Sequence, residues 1–163
     1  MKKTALITRV YKISNDLNIT QGLVDSVVRE YYSFLREELV MGHRVSLSSI
    51  VYIVPENEVL DYKVTLAYIC KVISARCSCT YNTVTEIISK LFETVWEDLL
   101  NGSSVTFHGL CNVHPLKYNG VISRVQSSVS LSLTELVRSN GGSVRVHTNQ
   151  ALKYRLLEQQ ASA

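Results

Sequence analysis

Cations gather in the last third of the chain. Residues 114–163 carry Lys117, Arg124, Arg138, Arg145, Lys153 and Arg155 against two acids, Glu135 and Glu158, a net of +4. Residues 1–63 balance eight basic against eight acidic side chains, and residues 64–113 hold three against four. The overall charge of +3 is therefore one-sided. The chemistry such a segment offers is neutralisation of the phosphates of a polyanion. Thiols and imidazoles offer less. Cys77-Ser78-Cys79 is a lone C-x-C, no paired C-x-x-C occurs, and His108, Cys111 and His114 fall along a strand pattern in no fixed ligand set. Cys70, Cys77, Cys79 and Cys111 are read as reduced thiols packing as small hydrophobes, with no metal and no cofactor expected. No glycine-rich phosphate loop, G-x-S-x-G or H-E-x-x-H is present, so the expectation is that the protein is not an enzyme. The acid pairs Glu37-Glu38 and Glu97-Asp98 read as solvated charges on the outer faces of helices.

The elements that must position these cations come from a chain of 163 residues, 46% apolar and 19% charged. That composition supports a packed core and excludes wholesale disorder. No apolar run approaches the roughly 18 residues a membrane helix needs. The opening MKKTALITRV has its apolar stretch broken by Arg9 and Lys12, so it is read as no signal peptide, and a soluble cytoplasmic protein is expected.

A shift of 60 residues superimposes the sequence on itself. Leu6 falls on Leu66, Ile13-Ser14 on Ile73-Ser74, Thr20 on Thr80, Val24 on Val84, Glu37 on Glu97, Leu39 on Leu99, Gly42 on Gly102, Val45 on Val105 and Pro55 on Pro115. These are ten identities in 52 ungapped positions. The apolar pattern repeats with them, which argues for two copies of one unit. Each copy opens with a helix, over about 4–15 and 65–76. After a polar break, Thr20 and Thr80 stand at N-cap positions of a longer second helix. Val24, Val28, Tyr31, Leu35 and Leu39 form one apolar stripe, and Val84, Ile88, Leu91, Val95 and Leu99 form its counterpart. Gly42 and Gly102 close these helices in the left-handed conformation. The period then changes to two, giving a pair of strands that ends at Pro55 or Pro115. The first copy, 1–63, stops there. The second, 64–163, continues through a serine-rich stretch, 116–143, expected to protrude as an arm. Within it Val129–Leu133 alternates as a strand would, although Leu133–Arg138 also fits a short helix. Val144–His147 then reads as a third strand and 149–160 as a Thr148-capped C-terminal helix.

This order resembles the HU and integration host factor (IHF) family of DNA-bending proteins. Met1-Lys2-Lys3-Thr4-Ala5-Leu6-Ile7 resembles the family's start, M-N-K-T-x-L-I. The cap-to-glycine spacing in both copies equals the family's. Gly109-Leu110-Cys111-Asn112-Val113 stands at its G-F-G-T-F motif, and Val146–Lys153 resembles its F-x-S-G-K-x-L-K. The resemblance implies an α+β fold of two tandem helix-helix-strand-strand units, with the third strand and the C-terminal helix in the second unit. It further implies an intramolecular pseudo-dimer whose two stripes face each other. Family members bind double-stranded DNA under a β-saddle, with arms in the minor groove. Carried over, this adds Lys3 to Lys117, Arg124, Arg138, Arg145, Lys153 and Arg155 as candidate phosphate contacts. The family's proline-tipped arm has no counterpart, since no proline follows Pro115, and the first lysine of F-x-S-G-K is Gln150 here. Two functions are therefore expected as alternatives. One is an architectural, sequence-nonspecific DNA binder that bends or packages DNA on a nucleoid. The other is a structural adaptor, for example in a bacteriophage particle, whose contacts are with other protein subunits or further copies of itself.

Overall fold

The computed structural model of the chain describes residues 5–161. In chain order it contains α1 (Leu6–Leu17), α2 (Gln21–Val40), β1 (Val45–Leu47), β2 (Val51–Pro55), α3 (Leu66–Cys77), α4 (Tyr81–Leu100), β3 (Val105–Phe107), β4 (Cys111–Tyr118), β5 (Val121–Val129), α5 (Leu131–Ser139), β6 (Val144–Thr148) and α6 (Gln150–Ala161). The class is α+β, with six helices and two three-stranded antiparallel sheets among the described residues. Capping explains the helix ends. The Thr80 side chain accepts from Thr83 N–H at 3.2 Å, whereas Thr20 holds the same place without a side-chain bond. At the other ends Gly42 and Gly102 take φ of +90° and +80°. His43 N–H then reaches back to the Glu38 carbonyl and Ser103 N–H to that of Asp98, each at 2.9 Å, so that both helices finish in the same Schellman turn.

The two apolar stripes meet in the core. Val24, Val28, Tyr31, Leu35 and Leu39 on α2, and Val84, Ile88, Leu91, Val95 and Leu99 on α4, are all at most 2% exposed. The helices interlock: α1 packs on α2 and on α4, and α3 packs on α4 and on α2. Tyr31 meets Phe92 edge-on at 6.0 Å and Tyr32 meets Phe107 at 6.3 Å, so aromatic rings lock the first half onto the second.

The sheets correct the expected connectivity. Their orders are β1-β2-β6 and β3-β4-β5. The third strand does not join the second unit: β6 runs antiparallel to β2, with Val51 opposite Thr148, Ile53 opposite Val146 and Pro55 opposite Val144. β4 already has its partner in β5, so the free edge open to β6 is that of β2. The C-terminal helix follows β6, with Asn149 N–H bonded to the Ile50 carbonyl at 2.8 Å. The boundary expected at 63/64 therefore separates elements, not whole units. The second unit sits inside the first, which opens with α1 to β2 and is completed only by β6 and α6.

Nor is 116–143 a protruding arm. Asn119 and Gly120, at φ of +53° and +79°, form the two-residue turn that joins β4 directly to β5. Ser130 then caps α5, its hydroxyl accepting from Leu133 N–H at 3.2 Å, and Leu133 and Val137 are buried as α5 packs on α2. Leu133–Arg138 is thus the helix that its spacing allowed.

Candidate nucleic-acid interface

Strand alternation decides which side chains the sheets present to solvent. Inward positions such as Ile53, Val113 and Val125 are buried. β5 lies beside β6, and on this inner side the Ser127 and Thr148 hydroxyls bond across the junction at 3.1 Å. The intervening positions face outward: Arg124, Gln126 and Ser128 on β5, Arg145 and His147 on β6, Tyr52 on β2, Asn112 and His114 on β4. His147 stacks on Tyr52, with ring centroids 5.1 Å apart. No aspartate or glutamate occurs in any of the six strands.

The helical layer is electrostatically different. There the cations of α1 to α4, exposed Lys71 apart, are held by acids or by polar groups of the chain itself. Buried Arg9 donates to Thr94 Oγ1 at 3.0 Å and to Asp98 Oδ2 at 2.8 Å. Lys12 pairs with Glu97, Arg29 with Asp25, Arg76 with Glu37 and Glu30, and Lys90 with Glu93 and Asp16. Hydrogen bonds to these carboxylates hold the pKa values of Lys12, Arg76 and Lys90 above their ordinary range. Arg36 donates to the Gly109 carbonyl at 2.7 Å. The expectation that Glu37-Glu38 and Glu97-Asp98 are all solvated holds for Glu37 and Glu97 only. Glu38 is buried against His43 Nδ1 at 2.5 Å, and Asp98 is the partner of buried Arg9.

The candidate cations divide accordingly. Arg124 and Arg145 are exposed on the outer sheet face, and no carboxylate pairs with either among the described residues. Lys153, on α6, lines the same shallow depression as Arg124. Lys117 lies at the far end of β4 with its stem across Gly102, in the space an added Cβ would need. Arg138 lies in the last turn of α5. Arg155 is occupied: its guanidinium sits 4.0 Å above the Trp96 ring. Lys3 lies outside the described residues. Among the described residues no group of three or more His, Cys, Asp or Glu could hold a metal ion, and all four cysteines are free thiols. No family model, curated protein or solved structure matches the chain.

The duplication supplies an internal comparison instead. β5–α5 and β6–α6 are equivalent pieces. Ser130 N–H bonds to the Leu110 carbonyl as Asn149 N–H bonds to that of Ile50, 60 residues earlier. Leu133 and Val137 match Leu152 and Leu156, all buried. A capping residue followed by apolar residues three and seven positions on was the available sequence signal. The neutral donors on the outer face, Asn112, Gln126, Ser128 and His147, escape a search for cations and emerge only once the strand pairing is known.

Proposed function

We propose that this chain binds double-stranded DNA through its phosphate backbone, without sequence readout, as an HU/IHF-like packaging protein that lays the duplex along the outer face of its two adjoining sheets. One observation carries the reading: among the described residues Arg124 and Arg145 stand unpaired on a face whose strands contain no acid, whereas most cations of α1 to α4 are tied to acids or polar groups. Phosphates are recognised by such cations together with neutral donors, and Asn112, Gln126, Ser128 and His147 lie on the same face. The β4–β5 hairpin closes at Asn119-Gly120, too soon to reach round a duplex. Packaging and gentle curvature over the sheet surface are accordingly proposed in place of a kink driven by an arm tip.

The test is a filter-binding series over salt with duplexes of unrelated sequence. Replacing Lys117, Arg124, Arg138 and Arg145 by Ala is expected to weaken binding equally on all sequences. The salt slope should fall by about 0.9 for each phosphate no longer neutralised, with Arg124 and Arg145 accounting for most of the change. An unchanged slope, or no binding by the wild-type chain at ~50 mM salt, a concentration at which backbone binding is strong, overturns the DNA reading. A structural adaptor of a particle is the second reading. It draws on the connection after β2 and the start of α3, where Leu60 is 84% exposed and Tyr62, Leu66 and Tyr68 are also exposed.

A further inference from the structure

A pocket of about 380 Å3 opens where β1 and α2 of the first unit meet α3 and α4 of the second. Its floor is apolar and buried: Ile69, Cys70, Ile88 and Phe92, with Tyr31 beside them. Ser46, Ser48, Thr85 and Ser89 supply hydroxyls. Among the described residues no charged side chain lines it. Burial raises the pKa of Tyr31 and of Cys70, so both stay neutral at physiological pH.

The duplication shows what the fold does with the same place elsewhere. The 60-residue shift sets Arg9 on Ile69, Asp25 on Thr85, Arg29 on Ser89 and His108 on Ser48. In that second location the positions are charged or aromatic, and each has a partner. Arg9 is bonded to Thr94 and Asp98, Arg29 Nε lies 2.9 Å from both Asp25 carboxylate oxygens, and the His108 ring is 6.4 Å from that of Tyr32. In the pocket all four positions are neutral, and two of them, Ser48 and Ser89, are markedly smaller. The scaffold therefore accepts charged, ion-paired side chains at these positions, whereas the pocket copy carries neutral ones. Small-molecule sites combine a volume of about 300–1,000 Å3, apolar walls and a few placed polar groups.

We infer that this pocket binds a small neutral molecule with an aromatic or aliphatic body of one or two rings and a hydroxyl or carbonyl group that bonds to the hydroxyls lining it. A charged ligand would lose its hydration and find no counter-ion there. The inference is independent of the DNA reading, which concerns the outer sheet face.

The probe is prodan, a neutral naphthalene ketone whose emission shifts to the blue in apolar surroundings, titrated against the full chain. Saturable binding of one molecule per chain is expected. Thr85→Asp/Ser89→Arg installs the ion pair that the other copy carries on the same helical turn, and should weaken binding at least tenfold. Ser89→Arg alone, at an exposed position, should act in the same direction if the double variant melts early. Asp25→Thr/Arg29→Ser, the reverse change in the other copy, should leave affinity at this pocket unchanged. 1-Naphthalenesulfonate, similar in ring size but anionic, should bind at least tenfold more weakly than prodan. Absence of saturable binding up to millimolar probe overturns the inference, as does equal affinity in wild type and in both pocket variants. Equal affinity for the anion overturns the neutral-ligand assignment.

Discussion

Arg9 is a buried cation at 4% exposure, and the residues that hold it, Thr94 and Asp98, lie more than 80 positions away. Nothing near Arg9 in the chain marks it as interior, because the groups that repay its desolvation belong to the other half. The same holds for Glu38, which reads as one of two helix-surface acids until the turn after Gly42 brings His43 back onto it. Arg9→Ala is expected to cost about 2 kcal/mol in urea denaturation. That is less than a fully buried pair would lose, because Asp98 keeps some solvent exposure. Arg9→Met, which preserves the stem's packing, should cost less. Cys111 tests burial in a different way. Desolvation pushes its thiol from an ordinary 9.0 up to about 12. The unfolded chain therefore releases this proton first, and stability that is fully present below pH 9 falls as pH rises towards 12. Tyr31 and Tyr32, also raised by burial, add to the fall above pH 10. Urea midpoints measured between about pH 8 and 11 should decline, and Cys111→Ala, less stable at about pH 8, should decline less steeply.

At the scale of elements, β6 and α6 are structural. β6 closes the open edge of β2, and α6 packs on β5 with Leu152 and Leu156 buried. Each closing helix leans on the opposite unit, α5 on α2 and α6 on β5, so the two halves hold each other's ends. Leu152→Ala is expected to cost about 2–4 kcal/mol although it lies close to the C-terminus, because it leaves a cavity where the chain returns to its first sheet. Denaturation followed by circular dichroism measures it directly. At the β4–β5 turn, Gly120 has φ +79° and open space where a Cβ would point. Gly120→Ala should therefore cost about 1 kcal/mol through backbone strain alone.

On the scale of the whole molecule, the interlocked helices and the enclosed second unit predict one cooperative unfolding transition. Leu39→Asp and Leu99→Asp each place an unpaired charge in the shared core, and each should destabilise the entire chain by several kcal/mol. Calorimetry would contradict this picture if either variant melted in two steps, with the unmutated half surviving. The same interlocking pairs most cations of α1 to α4 with acids and leaves two arginines unpaired on the strands. It thereby sets up the face proposed to receive DNA.

The helices of both copies were legible in the sequence, because their determinants are local: stripe positions three and four apart, a capping threonine, a glycine free to take positive φ. The strands were legible as strands through their period of two, and the ten stripe residues as core. Strand partners were not. The open edges of β2 and β4 offer β6 the same backbone chemistry, and the choice was decided by β5, which the tight Asn119-Gly120 turn had already returned to β4. Occupancy of that edge is a property of the assembled sheet and is written in no short segment. For the same reason the sequence could count the cations of the last third but not sort them. The tertiary structure set Arg155 over Trp96, left Arg124 and Arg145 facing solvent, and opened in one copy a pocket whose matching positions in the other are Arg9, Asp25, Arg29 and His108.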